Sequence, residues 1–118
     1  MLISIAIPAF NEAKYLPETI SAAKCASRVF NAAAWGSEIV VCDNNSTDDT
    51  AGVAKAAGVR VVFEPFNQIA ASRNAAGLAA KGEWLVFVDA DTRVSPELFR
   101  AMMREIVSGD CIGGGTPL

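Results

Sequence analysis

The chain has 118 residues, 52% of them hydrophobic and 19% charged, which suffices for one small core and excludes wholesale disorder, a fibrous repeat and a second domain. A formal net charge of -3 argues against nucleic acid as a partner, because such binders gather Lys and Arg on one face. Histidine is absent, which removes the usual general base and the Ser/His and Cys/His triads.

The opening residues 1–7 are apolar, but they lack a basic flank and meet Pro8, Asn11 and Glu12 too soon for a signal peptide or a membrane span. Residues 2–7 therefore read as a strand. Pro17 suits the first turn of a helix running to about residue 30, with Leu16, Ile20, Ala23 and Ser27 on one stripe. A second apolar run, residues 39–42, is followed by a helix that Ser46 or Thr47 can cap, with Asp48 and Asp49 in its first turn and Gly58 at its end. Residues 59–63 form the third run. Asn67 or Ser72 then precedes an Ala-rich helix closing near Gly82. Residues 84–88 are the fourth run, and Ser95-Pro96-Glu97 opens a last helix that stops at Gly109. Strand runs alternating with helical segments imply βαβ units: an α/β fold with a mostly parallel sheet and helices on both faces.

Cys25, Cys42 and Cys111 lack any CxxC spacing and read as small buried hydrophobes in a reducing compartment, while Trp35 and Trp84 read as core. Residues 111–118 look like the start of a further strand and a glycine turn, so the sheet is expected to be cut after its fourth to fifth strand.

In an open parallel sheet the ligand lies beyond the carboxyl ends of the strands. The residues there are Pro8-Ala9-Phe10-Asn11-Glu12, Asp43-Asn44-Asn45-Ser46, Glu64-Pro65 and Asp89-Ala90-Asp91-Thr92. Asp89 and Asp91 share one strand parity, so both carboxylates can point the same way and offer oxygen donors to Mg²⁺ or Mn²⁺, with phosphate completing the shell. The same tripeptide also suits ordinary turn chemistry. Asp43 can accept hydrogen bonds from a base or ribose, or cap the helix near Thr47. Glu12 suits a ribose contact or a solvated position beside Lys14. Arg73 can neutralise phosphate with Asn74 beside it, or stand as a solvated helix charge.

Together these segments resemble the inverting glycosyltransferases of family 2, with the GT-A fold. The resemblance is carried by Pro8-Ala9-Phe10-Asn11-Glu12 after the opening strand, by Val40-Val41-Cys42-Asp43-Asn44-Asn45-Ser46-Thr47-Asp48-Asp49-Thr50, by Ala71-Ser72-Arg73-Asn74 with Gly77, and by Asp89-Ala90-Asp91. It implies a nucleotide-diphosphate sugar, commonly a uridine one, lying across the strand ends with Mn²⁺ or Mg²⁺ on its diphosphate. By position, Pro8, Ala9 and Glu12 would line the nucleoside pocket, Asp43 would contact the base, and Arg73 would sit near the donor. Asp89 would contact ribose or a metal-bound water, and Asp91 would ligate the metal directly.

In the family a carboxylate well downstream deprotonates the acceptor hydroxyl for direct displacement with inversion. The resemblance therefore implies that residues 1–118 form the nucleotide-sugar-binding half, with base and acceptor pocket outside it. A cytoplasmic location, peripheral to the membrane in a full-length context, is expected with it. So is pairing of the exposed sheet edge with a second copy. Two other readings stand beside this one. A nucleotide-sugar-binding domain could keep the pocket without transfer, and Asp89-Ala90-Asp91-Thr92 also resembles the loop of haloacid-dehalogenase-type phosphatases. A Rossmann dehydrogenase is disfavoured, since no Gly-x-Gly-x-x-Gly follows the first strand.

Overall fold

The computed structural model describes residues 1–108. The strand and glycine turn expected at 111–118, and the stop at Gly109, lie outside the described residues.

Strand β1 (Leu2–Ala9) is buried on both faces because its side chains alternate between two helical layers. Ile3, Ile5 and Ile7 enter a core shared with Leu16 and Ile20 of α1 (Leu16–Ser27), Ala54 of α2 (Thr50–Ala56) and Phe99 of α4 (Pro96–Ser108). Ala6 points the other way, onto Ala76 of α3 (Ile69–Ala79) and beside Cys42 of β2 (Gly36–Asp43). Small side chains on both sides of that second contact let an Ala-rich helix lie close to the sheet. The sheet is completed by β3 (Arg60–Phe63) and β4 (Trp84–Phe87), all four strands being parallel in the order β3-β2-β1-β4.

Pro8 lies within β1, one strand in from the β4 edge, without costing a ladder bond of the paired strands. Even-numbered residues of β1 face β4, as the Val88 N–H donation to the Ala6 carbonyl shows, and β4 has ended by that level. The donor that proline lacks would have fallen beyond the end of the β1–β4 ladder, which closes at Ala6 and Phe87.

Several helix boundaries differ from the sequence reading. The first helix ends at Ser27 and continues as a 3-10 helix, Arg28–Ala33, closed by Ala34 at a φ of 58°. Its buried stripe holds Thr19 and Ala26, and Ser27 is not on it. Ser46 and Thr47 do not cap the second helix, which starts at Thr50; both are drawn instead into hydrogen bonds with Asn11. Gln68 is the N-cap of α3, and Ser72 lies buried inside that helix. Gly58 at a φ of 79° ends α2, and Ser95 Oγ accepts from the Leu98 N–H at 3.2 Å, both as expected. Cys42 is buried, but Cys25 is exposed because it sits on the outer side of α1. Both tryptophans pack against the core. No helix among the described residues is long and apolar enough to cross a membrane.

At the amino end of the sheet, one carboxylate of β2 holds β1, β3 and the loop before β4 together. Glu38 accepts from Ser4 Oγ at 2.5 Å, from the Lys81 backbone N–H at 2.6 Å and from Arg60 at 2.8 Å. Ser4 Oγ accepts in turn from the Gly82 N–H at 2.7 Å. A Cβ on Gly82 would fall 2.7 Å from Ser4 N and 2.8 Å from the Leu2 carbonyl, so only glycine permits this approach.

Candidate functional site

The strand order reverses between β1 and β4: the chain steps outward through β2 and β3, then returns to the other side of β1. Parallel sheets leave a crevice at such a switch, beyond the carboxyl ends of the two strands. The two segments flanking it are Phe10-Asn11-Glu12 and Asp89-Ala90-Asp91-Thr92, which include three carboxylates. This placement follows from topology, independent of any motif.

On the first segment, Asn11 adopts a left-handed φ of 53°, tolerated because its short amide bonds locally. Its Oδ1 accepts from the Thr47 N–H at 2.8 Å, and its own N–H donates to Ser46 Oγ at 3.0 Å. The Glu12 N–H donates to Thr50 Oγ1 at 3.1 Å, and the Ala13 N–H to Asp48 at 3.2 Å. Thus the loops after β1 and β2 are bound to each other. Asp43 is buried at the end of β2 and accepts from the Ser46 N–H at 3.0 Å, closing its own turn and capping no helix. Asn44, also buried, donates to the Glu64 and Phe66 carbonyls at 3.1 and 2.6 Å, while Asn67 donates to the Asn44 carbonyl. Three strand ends are therefore fixed by side-chain amides.

The Asp89–Asp91 pair is not extended. The Thr92 N–H donates to the Asp89 carbonyl at 3.0 Å, so residues 89–92 form a tight turn and strand parity does not align the two carboxylates. Both remain exposed on that turn, with Ala90 buried between them. Thr19, fully buried on α1, donates to the Ala90 carbonyl at 2.6 Å and so pins the turn from below.

The electrostatics are uncompensated. Burial first, then the charges of Asp91 and Asp48, push the Glu12 carboxyl above its ordinary value. Asp48 is held below its own, chiefly by the Thr50 hydroxyl. Among the described residues no three His, Cys, Asp or Glu side chains form a ready cage for a metal. Mg²⁺ and Mn²⁺ need no such cage, since one or two carboxylates with phosphate oxygens suffice, and Asp89 and Asp91 beside Glu12 fit that donor set.

Arg73 stacks its guanidinium 4.4 Å over the ring of Phe87, the last residue of β4, which carries its charge toward the same end of the sheet. Asn74 is exposed on α3. Pro8 and Ala9 are buried within β1, so Phe10, 48% exposed, is the side chain that this segment presents. With Asn44, Asn67, Gln68 and Ile69 it lines a pocket of about 260 Å³. Sequence reasoning gave no separate role to Phe10 or Thr19 and placed Asn67 only at the start of a helix, where Gln68 is the N-cap instead; an aromatic directly after a buried strand was the available signal for Phe10.

The model of the family described as glycosyl transferase family 2 matches residues 4–117. The chain belongs to that family. It is similar to a chondroitin synthase of Pasteurella multocida (strain Pm70), 32% identical over 111 residues, 90% of this chain and 11% of that protein. A hyaluronan synthase of Pasteurella multocida matches to the same extent. Among solved structures, S. aureus TarS 1-349 in complex with UDP superposes with a TM-score of 0.75 at 27% identity, over 92% of this chain and 32% of that one. Glucosyl-3-phosphoglycerate synthase from Mycobacterium tuberculosis, in complex with Mn²⁺, UDP and glucosyl-3-phosphoglycerate, superposes with a TM-score of 0.70 at 25% identity, over 93% and 41%. The family 2 chain thus has the GT-A, Rossmann-like fold, and it spans about a tenth of the two synthases and a third of the TarS fragment. Family membership also displaces the phosphatase reading of Asp89-Ala90-Asp91-Thr92.

Proposed function

We propose that residues 1–118 form the donor-binding half of a family 2 glycosyltransferase, which takes a sugar from a nucleotide diphosphate, UDP in preference, to an acceptor hydroxyl with inversion. The observation that carries this reading is the switch-point crevice, with Glu12 following β1 on one side and Asp89 and Asp91 following β4 on the other. Excess negative charge around a nucleotide site calls for a divalent cation. UDP and Mn²⁺ in the glucosyl-3-phosphoglycerate synthase, and UDP in TarS, support the same ligands here.

In this proposal Asp43 receives hydrogen bonds from the base and Glu12 lines the nucleoside pocket, with Pro8 and Ala9, buried at the end of β1, shaping it from behind. Asp91, with Asp89 at ribose or a metal-bound water, holds Mn²⁺ or Mg²⁺. When bound, the metal supplies positive charge to the departing diphosphate. Arg73, steadied by Phe87, brings a fixed cation toward the donor, and Asn74 a hydrogen bond. Direct displacement needs a base on the acceptor side, which we place outside residues 1–118 together with the acceptor site. The outer side of β4 is unpaired among the described residues, which supports continuation of the sheet there by later strands or by a second copy. Cytoplasmic placement with peripheral membrane contact goes with this reading.

Calorimetric titration with UDP, GDP and dTDP in the presence of Mn²⁺ tests the donor assignment. One nucleotide is expected to bind at least about tenfold more tightly, with the preference reduced in Asp43→Ala, because a buried hydrogen-bonding group discriminates between bases. Equal binding of all three, or none, would remove the assignment.

A further inference from the structure

A second feature lies away from the strand ends. Between α1, the 3-10 helix that follows it, and α4 runs an open groove of about 560 Å³, floored by Val29, Ala32 and Met103 and bordered by Arg28, Arg100 and Arg104. None of the candidate donor-site residues lines it.

The placement of charge is selective. The chain is acidic overall and has six arginines. Arg60 pairs with Glu38, Arg93 with Glu18, and Arg73 stacks on Phe87. The remaining three all border this groove, where Arg100 has only an exposed contact with Glu97 at 3.6 Å, and Arg28 and Arg104 have no ion-pair partner among the described residues. Arg100, Met103, Arg104 and Val107 recur at helical spacing on one stripe of α4. Val107 is 73% exposed there, while Phe99 and Met102 fill the buried stripe.

We propose that this face docks on an anionic phospholipid surface, with phosphate headgroups seated between the guanidinium groups and the apolar floor and Val107 against the upper acyl region. Guanidinium forks match phosphate oxygens in pairs, and unpaired cations beside apolar side chains match an anionic interface better than they match water. With Val107 exposed a turn beyond Arg104 on the same stripe, the cations and the apolar side chains follow the order of headgroup and acyl chain at a lipid surface. This inference does not depend on the donor site.

The test is co-sedimentation of the 118-residue chain with phosphatidylcholine vesicles, with and without phosphatidylglycerol, beside the variants R28Q/R104Q and K55Q/K81Q. Binding is expected only with phosphatidylglycerol and is expected to weaken with salt. Each juxtamembrane arginine is worth about fivefold, so R28Q/R104Q should bind about twenty-five-fold more weakly, while K55Q/K81Q, which loses the same charge elsewhere, should bind as the parent does. Circular dichroism and unchanged nucleotide titrations report whether R28Q/R104Q keeps its fold. Binding without phosphatidylglycerol, equal losses in both variants, or displacement by millimolar inorganic phosphate or by polyglutamate would each overturn the proposal. The last two would reassign the groove to free phosphate or to an acidic protein.

Discussion

Two glutamates near opposite ends of the sheet are perturbed in opposite directions. Glu38, at the amino end, is held below its ordinary value although burial opposes this, because Ser4, the Lys81 amide and Arg60 all stabilise its charge. Glu12, at the carboxyl end, is pushed above its ordinary value by burial and by Asp91 and Asp48, with no cation among the described residues lowering it in answer. One end has its charge balanced within the chain and serves the fold. The other is left electrostatically incomplete, which is what the proposed cation and nucleotide diphosphate would answer.

Breaking the balanced end should cost the most. Glu38→Ala leaves Arg60, the Ser4 hydroxyl and the Lys81 amide without their acceptor, and about 2–3 kcal/mol is expected, a fall in Tm of about 10 °C by calorimetry. Because the folded-state value of Glu38 is depressed, its contribution is full above the unfolded-state value and fades as pH falls through the folded one. The parent's Tm should therefore drop on acidification, and the drop should be shallower in Glu38→Ala.

Thr19→Val probes the support beneath the 89–92 turn. Losing the hydroxyl strands the buried Ala90 carbonyl, at a cost of about 1–2 kcal/mol, and a loosened turn should weaken Mn²⁺-dependent UDP binding by about tenfold in titration. An unchanged affinity would show that the turn holds its shape without α1.

Glu12→Gln should have the smallest effect on stability, and of the opposite sign. A carboxyl with a raised folded-state value carries a penalty that is absent at low pH and grows as pH rises through that value. Removing the charge should raise the Tm of the ligand-free chain slightly at neutral pH and leave it unchanged in acid, as a scan across pH would show.

The strands and their parallel sense were legible because short continuous apolar runs, such as those of β1 and Ile39-Val40-Val41, suit a sheet buried on both faces and are separated by segments of helical period that serve as crossovers. The site segments were legible as polar residues directly after those runs. What was not legible were contacts between residues far apart in the chain. Thr19 meets Ala90 across 71 positions, and Asn11 meets Thr47 across 36, and nothing local announces either bond. The same contacts explain the misread caps, since Ser46 and Thr47 have the chemistry of an N-cap but are used between loops. Strand parity failed for Asp89 and Asp91 because β4 ends at Phe87 and the chain turns at once.

In the proposed donor site the unbalanced carboxylates at the switch point hold a metal for a nucleotide diphosphate. The most direct measurement is calorimetric titration of UDP into the chain with and without Mn²⁺, repeated on Asp91→Ala. Binding is expected to require Mn²⁺ and to fall by about a hundredfold or more in the variant, the loss that follows removal of a directly ligating carboxylate. UDP binding that ignores both Mn²⁺ and the Asp91 substitution would contradict the proposed site.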